Sequence, residues 1–143
     1  MGKEKIKVIL DANIYASFFL THGETIASIF ALWKSGDFEV FASIDIIAEV
    51  YRIFHYPKIQ KRITSLDKKA LTQILVDHAE RIYPQERTHV SNDPDDEKYL
   101  EAASACQADY LVTGDRDLLS LKNFGTTRIV SPKEFVDVLR KDI

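Results

Sequence analysis

Two short apolar runs, each ending in carboxylates, constrain this chain more than any other feature. Lys7-Val8-Ile9-Leu10 runs straight into Asp11, Ala12 and Asn13. Ala108-Asp109-Tyr110-Leu111-Val112 repeats the theme and ends in Thr113, Gly114, Asp115 and, two residues on, Asp117. Short apolar runs with β-branched members read as strands covered on both faces, the habit of a parallel sheet. A parallel sheet needs long return connections, which helices usually fill. Ligands of such sheets bind outside the carboxyl ends of the strands, where these acids stand. Taken alone, Asp11 also fits an ordinary turn or helix-capping aspartate. The weight comes from the rest of the chain.

The intervals carry the expected helices. After Asn13 the chain stays apolar from Ile14 to Leu20, and Thr21-His22-Gly23 interrupts it. Ile26, Ile29, Phe30 and Trp33 fall at helical spacing, which predicts an amphipathic helix over 24–34. Residues 38–42 read as a second strand, and Ser43 as the N-cap of a helix over 44–54 with Ile46, Val50 and Ile53 on its buried stripe. Glu49 borders that stripe, so it does not point fully to water. His55-Tyr56-Pro57 ends the helix, and Lys58, Lys61 and Arg62 follow on a short helical turn. Ser65 is read as the cap of a helix over 66–81, with Leu71, Ile74, Leu75, His78 and Ile82 on one side. His78 in that position is expected to be a satisfied core histidine. Ile82-Tyr83 reads as a brief third strand closed by Pro84, and 85–92 as a polar loop.

Asp93 then reads as an N-cap, with Pro94 at the first helical position, where its missing N–H costs nothing. This places Asp96 in the first turn of a helix over 94–107, where the helix dipole favours a carboxylate. Leu100, Ala103 and Cys106 are expected to face inward. Leu118-Leu119 begins a short helical turn, and 127–130 forms the last strand. Ser131-Pro132-Lys133-Glu134 is a capping box with proline at the first position, opening a final helix over 132–141 that buries Phe135, Val136 and Leu139. The alternation predicts a single α/β domain spanning residues 1–143, a three-layer α/β/α sandwich around a parallel sheet of four or five strands.

Composition narrows the class. The chain has 143 residues, 45% hydrophobic and 29% charged, enough for one domain with a real core. No apolar run reaches 18 residues and no signal-peptide pattern opens the chain, so it reads as soluble and cytoplasmic, with no membrane partner. The single Cys106 excludes an internal disulfide and a cysteine metal cage. The net charge of −3 does not announce a nucleic-acid binder, although acids gathered around a cation would leave the remaining surface less acidic than the total.

The acids converge by topology. Asp11, Asp115 and Asp117 stand at strand ends, Asp96 at a helix start and Glu49 on a helix flank. Four or five carboxylates in one cleft repel and cannot all stay ionised without a cation. Hard divalent ions, Mg²⁺ or Mn²⁺, prefer such all-oxygen sets. Zinc is disfavoured, since His22, His55, His78 and His89 are scattered. No serine–histidine pairing and no glycine-rich phosphate loop competes for the chemistry.

Asp11-Ala12-Asn13 after a strand, Glu49 in the helix after strand two, Asp96 within Asp-Pro-Asp-Asp-Glu-Lys-Tyr-Leu, and Leu-Val-Thr-Gly-Asp-Arg-Asp-Leu-Leu at 111–119 together resemble the PIN-domain family. Ile129-Val130-Ser131-Pro132-Lys133-Glu134-Phe135 resembles the prokaryotic, VapC-like toxin branch of toxin–antitoxin systems. The resemblance covers essentially the whole chain. It implies strand order 3-2-1-4-5 with strand one central, and a divalent-metal-dependent endoribonuclease that acts as the toxin of a toxin–antitoxin pair. It further implies an RNA substrate, an antitoxin protein and a homodimer as partners. Asp11, Glu49, Asp96 and Asp115 match the family's acidic quartet and Asp117 an additional acid, all of them expected metal ligands. Asn13 and Thr113 match the residues that hold the carboxylates in place. Among Asp93, Asp95 and Asp96, the spacing to Tyr99-Leu100 selects Asp96; Asp93 serves as the cap, and Asp95 points about 100° away around the helix. RNA contacts are expected from Arg116 and Arg52, with Lys58, Lys61 and Arg62 extending the track.

Two other readings share part of the pattern. A receiver or dehalogenase-like phosphoaspartyl protein also carries an aspartate after strand one. The dehalogenase-like class wants Asp-x-Asp where this chain has Asp11-Ala12-Asn13, and both classes want a lysine at a late strand end, where Leu111-Val112-Thr113-Gly114 offers none. A catalytically silent binding module with the same fold is separated from the enzyme by metal-dependent cleavage of RNA.

Overall fold

The computed structural model describes residues 5–20 and 23–141. Thr21 and His22 of the expected interruption lie outside the described residues. The strands are β1 (Ile6–Leu10), β2 (Phe38–Ala42), β3 (Ala79–Arg81), β4 (Tyr110–Val112), β5 (Asn123–Phe124) and β6 (Thr127–Val130). The helices are α1 (Ala12–Leu20), α2 (Glu24–Lys34), α3 (Ile44–Phe54), α4 (Pro57–Gln60), α5 (Ser65–His78), α6 (Glu97–Cys106), α7 (Arg116–Leu119) and α8 (Pro132–Lys141), and a 3₁₀ turn spans Pro94–Asp96.

The sheet order is β3-β2-β1-β4-β6-β5. β1 is central and parallel to both neighbours, pairing Val8 with Val40 on one side and with Tyr110 on the other. Val8, Ile9 and Leu10 are wholly buried, so helices cover both faces of the sheet and the expected three-layer α/β/α fold is present. Among the described residues the sheet has six strands, not four or five. The additional one, β5, pairs antiparallel with β6 through Asn123↔Arg128 and Phe124↔Thr127. Two residues are too few for a periodicity signal. The turn itself was marked by Gly125, which stands at φ +59°, a conformation that favours glycine.

Several other expectations shift. The apolar run after Asn13 forms α1, which starts one residue beyond Asp11. The cap of α5 is Thr64, not Ser65: Thr64 Oγ1 accepts from the Asp67 N–H at 3.1 Å while the Asp67 carboxylate accepts from the Thr64 N–H at 2.9 Å. The same helix ends at His78, and the third strand is Ala79–Arg81 instead of Ile82-Tyr83. Pairing of Ala79 with Val40 supplies ladder bonds that override the helical pattern there, and the Ile82 N–H still donates to the Ala42 carbonyl at 3.2 Å. His78 is exposed, with its ring edge-on to Trp33, and is not a core histidine. Trp33 instead donates its indole N–H to the His78 main-chain carbonyl.

The core is otherwise as the patterns predict. Ile46, Val50 and Ile53 are buried on α3, and Leu100, Ala103 and Cys106 on α6. The Ser131–Glu134 capping box closes in both directions, at 3.1 and 3.2 Å, and hydrogen bonding from the Ser131 main-chain N–H and hydroxyl holds the Glu134 carboxyl below its usual pKa. α8 then delivers Phe135 edge-on to Phe38 at 5.1 Å. Among the described residues no helix is long and apolar enough to cross a membrane.

Candidate metal-binding active site

β1 delivers Asp11 to the carboxyl end of the sheet, where the Asp11 N–H continues the ladder to the Val112 carbonyl at 3.0 Å. Its carboxylate is buried. One oxygen accepts from the Asn13 main-chain N–H at 3.0 Å and the other from the Thr113 hydroxyl at 2.7 Å. Burial pushes the Asp11 pKa up and nearby Asp115 adds to it, while these hydrogen bonds pull it back. Thr113, itself buried at the end of β4, also accepts from the Asp115 N–H at 3.0 Å. One hydroxyl therefore fixes the acids of two strands. Asn13 acts through its backbone; its side chain is exposed at the rim.

Asp115 caps α7, accepting from the Asp117 N–H at 3.4 Å through Oδ1. Its Oδ2 is buried and has no hydrogen-bond partner among the described residues. Asp96, at the junction of the 3₁₀ turn and α6, is buried and faces Asp115. Its pKa is pushed up to about 8, by burial first and then by Asp115 and Asp93, against a hydrogen bond from Ser91. Asp93, Asp96 and Asp117 bring carboxylate oxygens within 4.8 Å of one another. Asp93 does cap the 3₁₀ turn, accepting from the Asp95 N–H at 3.0 Å, but it also belongs to the acidic group. Capping and ligation are compatible because a carboxylate has two oxygens. Asp95 is exposed at the edge of the cleft.

Glu49 lines the same cleft, as its place beside the α3 stripe suggests. It is engaged by cations: Arg52 pairs with it, and the Lys98 ammonium lies 3.7 Å from Oε2. Lys98, missed in the sequence, is the single lysine or arginine among the residues lining the cleft. Its signal was its position between Asp96 and Tyr99. Tyr99 was also missed as a site residue. Its hydroxyl accepts from the Ala12 N–H at 3.2 Å, and burial and Asp11 push its pKa up. Arg116, Lys58, Lys61 and Arg62 are all exposed and none lines the cleft, which measures about 480 Å³.

The donor set is all oxygen. It combines the buried Asp96–Asp115 pair, whose Asp96 carboxyl is pushed toward protonation by burial first and by its acidic neighbours second, with three acids whose oxygens lie within 4.8 Å of one another. These residues fit a hard divalent cation.

Comparison with known proteins agrees with this arrangement. The PIN domain family model matches residues 7–117. An uncharacterised protein of Methanocaldococcus jannaschii, MJ1680, is 27% identical over an alignment covering all of this chain and 97% of that protein. PAE2754 from Pyrobaculum aerophilum superposes with a TM-score of 0.64 at 16% identity, over 95% of this chain and 90% of that one. VapBC2 from Rickettsia felis, solved bound to a DNA fragment from its promoter, gives 0.57 at 16% identity over 88% and 98%. VapC20 of Mycobacterium tuberculosis, described as a sarcin–ricin loop cleaving toxin, gives 0.53 at 14% over 85% and 98%. At these identities the structural likenesses speak for the fold.

Proposed function

This chain belongs to the PIN-domain family, and on that premise we propose that it is an Mg²⁺- or Mn²⁺-dependent endoribonuclease, the toxin of a toxin–antitoxin pair. The observation that carries the reading is the buried Asp96–Asp115 carboxyl pair, which shares one proton through a hydrogen bond and leaves Asp115 Oδ2 with no other partner among the described residues. A protein gains nothing in stability from such crowding, so the arrangement is one built to be neutralised by a cation.

Asp96, Asp115, Asp117 and Asp11 would hold the cation, with Asp93 sharing the group and Glu49 joining on release from its ion pairs. What a bound Mg²⁺ or Mn²⁺ supplies is stabilisation of charge on the phosphodiester and activation of the attacking water. The chain's own residues do the positioning. The Thr113 hydroxyl and the Asn13 N–H leave the Asp11 carboxylate one orientation, and the Tyr99 hydroxyl fixes the first turn of α1 beside it. Lys98 is placed to meet an RNA phosphate inside the cleft, where a carboxylate lining alone would repel the backbone. Arg116 and Arg52 serve the rim, and Lys58, Lys61 and Arg62 extend the track outward. An antitoxin and a second copy of the chain are the proposed protein partners. The former is suggested by the VapBC2 likeness; the latter rests on the family resemblance, since Phe30 and Trp33 are buried in the core and Tyr56, just after α3, is the exposed aromatic of that region.

The test is cleavage of a generic single-stranded RNA by the purified protein with Mn²⁺, with EDTA, and with Asp11→Asn in place of wild type. Cleavage only by wild type with metal supports the reading. No cleavage by any preparation with any divalent ion favours the silent binding module. Light scattering at micromolar concentration checks the dimer, since a mass of only about 16 kDa would refute it.

A further inference from the structure

We infer that Glu97 and Glu101 act as a carboxylate clamp, positioning residues that set the Asp93–Asp96 edge of the cleft through the loop at 85–92. The inference rests on the reading of that cleft as a metal site. Glu97 and Glu101 stand one turn apart on α6, and both are buried, at 8% and 7% exposure. Like charges at this spacing repel, and buried carboxylates ordinarily sit against cations. Here the partners are mainly neutral amides. Glu97 accepts from the Val90 N–H and, through Oε2, from the Ser91 N–H at 3.2 Å. Glu101 accepts from the Thr88 N–H at 3.0 Å, with the guanidinium of largely exposed Arg87 at 4.0 Å.

Three amides of a loop without regular structure are thus tied to a helix. The far end of that tie is the site. The Ser91 hydroxyl donates to the Asp96 carboxylate at 3.3 Å and accepts from the Asp93 N–H at 3.2 Å. Ser91 is therefore the link between the clamp and two of the three acids whose oxygens lie within 4.8 Å of one another. Glu97 also follows Asp96 directly in the chain, so the clamp holds both the backbone that carries Asp96 and the loop that hydrogen-bonds it. An anchor serving stability alone would have no need to end on Asp93 and Asp96.

The experiment is a double-mutant cycle on the full chain, reading Mn²⁺ affinity by calorimetry without RNA. The variants are Glu97→Gln, Ser91→Ala and the pair, with circular dichroism confirming the fold. Ser91→Ala disturbs no buried charge and so keeps the test open if Glu97→Gln unfolds. Glu97→Gln is expected to weaken Mn²⁺ binding about tenfold, in line with other groups that orient metal ligands. Ser91→Ala should weaken it several-fold, and the pair by much less than the product of the two, because both act along one route. Faster hydrogen exchange at Val90 and Ser91 in Glu97→Gln should accompany the loss. Folded variants that bind Mn²⁺ as wild type does, or fully multiplicative losses, overturn the clamp while leaving the metal site standing. A wild type that binds no Mn²⁺ overturns the metal site itself, and the clamp with it.

Discussion

The two ends of the sheet carry cavities of nearly equal size and opposite chemistry. At the carboxyl end, about 480 Å³ is lined by six carboxylates and one lysine. At the amino end, about 450 Å³ is lined by Lys5, Ile6, Lys7, Gln107, Asp109 and Thr126. Asp109, the one carboxylate there, accepts from the Lys7 main-chain N–H at 2.9 Å and has two lysines among its neighbours in the lining. Hollow space is therefore no guide to function in this fold. What separates the ends is compensation: one satisfies its acid, the other crowds acids and leaves Asp115 Oδ2 with no donor among the described residues other than a protonated Asp96. Strand direction decides which end this is, because the loops leaving β1 and β4 are the ones that carry Asp11, Asp115 and Asp117.

The largest expected effect tests that contrast at matched positions. Asp11→Asn should reduce RNA cleavage roughly 100-fold or more, while Asp109→Asn leaves cleavage unchanged and costs about 1 kcal/mol of stability at most. The Asp11→Asn protein should melt no lower than wild type without metal, since burial of its charge is relieved. Equal activity of the two variants would erase the distinction between the ends.

Next in size is a contrast within the cleft. Asp96→Asn should lower cleavage at saturating Mn²⁺ by roughly tenfold or more, and Asp95→Asn should do far less, because Asp96 is buried against Asp115 and Asp95 is exposed. The reverse order would place the ligand one residue earlier on the 3₁₀ turn.

Stability against pH sharpens the same point. The Asp96 carboxyl has its pKa raised from 3.8 to about 8 in the folded protein, so between those values the folded state binds more protons than the unfolded. Its contribution is complete below about pH 4 and is lost as pH rises toward 8. The metal-free protein should lose stability across that window, and Asp96→Asn or added Mn²⁺ should flatten the loss. Thermal melts at several pH values with EDTA check this.

The smallest expected effect lies at the rim. Arg116 is exposed on α7 beside Asp115 and Asp117, outside the cleft lining. In an Asp11→Asn background, Arg116→Ala should weaken RNA binding and reduce its salt slope by about one, with little change in Mn²⁺ affinity. An unchanged slope would assign Arg116 to structure and leave Lys98 as the phosphate contact.

Much of this was legible because the informative residues sit where local signals are strong. Buried strands without a polar face gave β1 and β4, the Ser131–Glu134 box gave α8, and strand ends gave Asp11, Asp115 and Asp117. What escaped depended on tertiary partners. The α5–β3 boundary is set by pairing of Ala79 with Val40, which no local pattern records. Asp93 was read as a cap because a cap explains one of its oxygens; the other is explained only by Asp96 and Asp117 arriving from elsewhere. Lys98 and Glu97 look like ordinary helix charges until the loop and α3 are packed beside them.

Whether the carboxyl-end acids are crowded together for a cation is decided by Mn²⁺ calorimetry in two buffers of different ionisation enthalpy. With the Asp96 pKa raised by burial and by Asp115, the pair holds a proton near neutral pH, and metal binding is expected to release it and make the measured heat depend on the buffer. Wild type should bind Mn²⁺ with proton release, Asp96→Asn should release less, and Asp11→Asn should bind more weakly. A wild type that takes up no Mn²⁺, or one that binds it no better than Asp11→Asn and without proton release, would contradict the cation site.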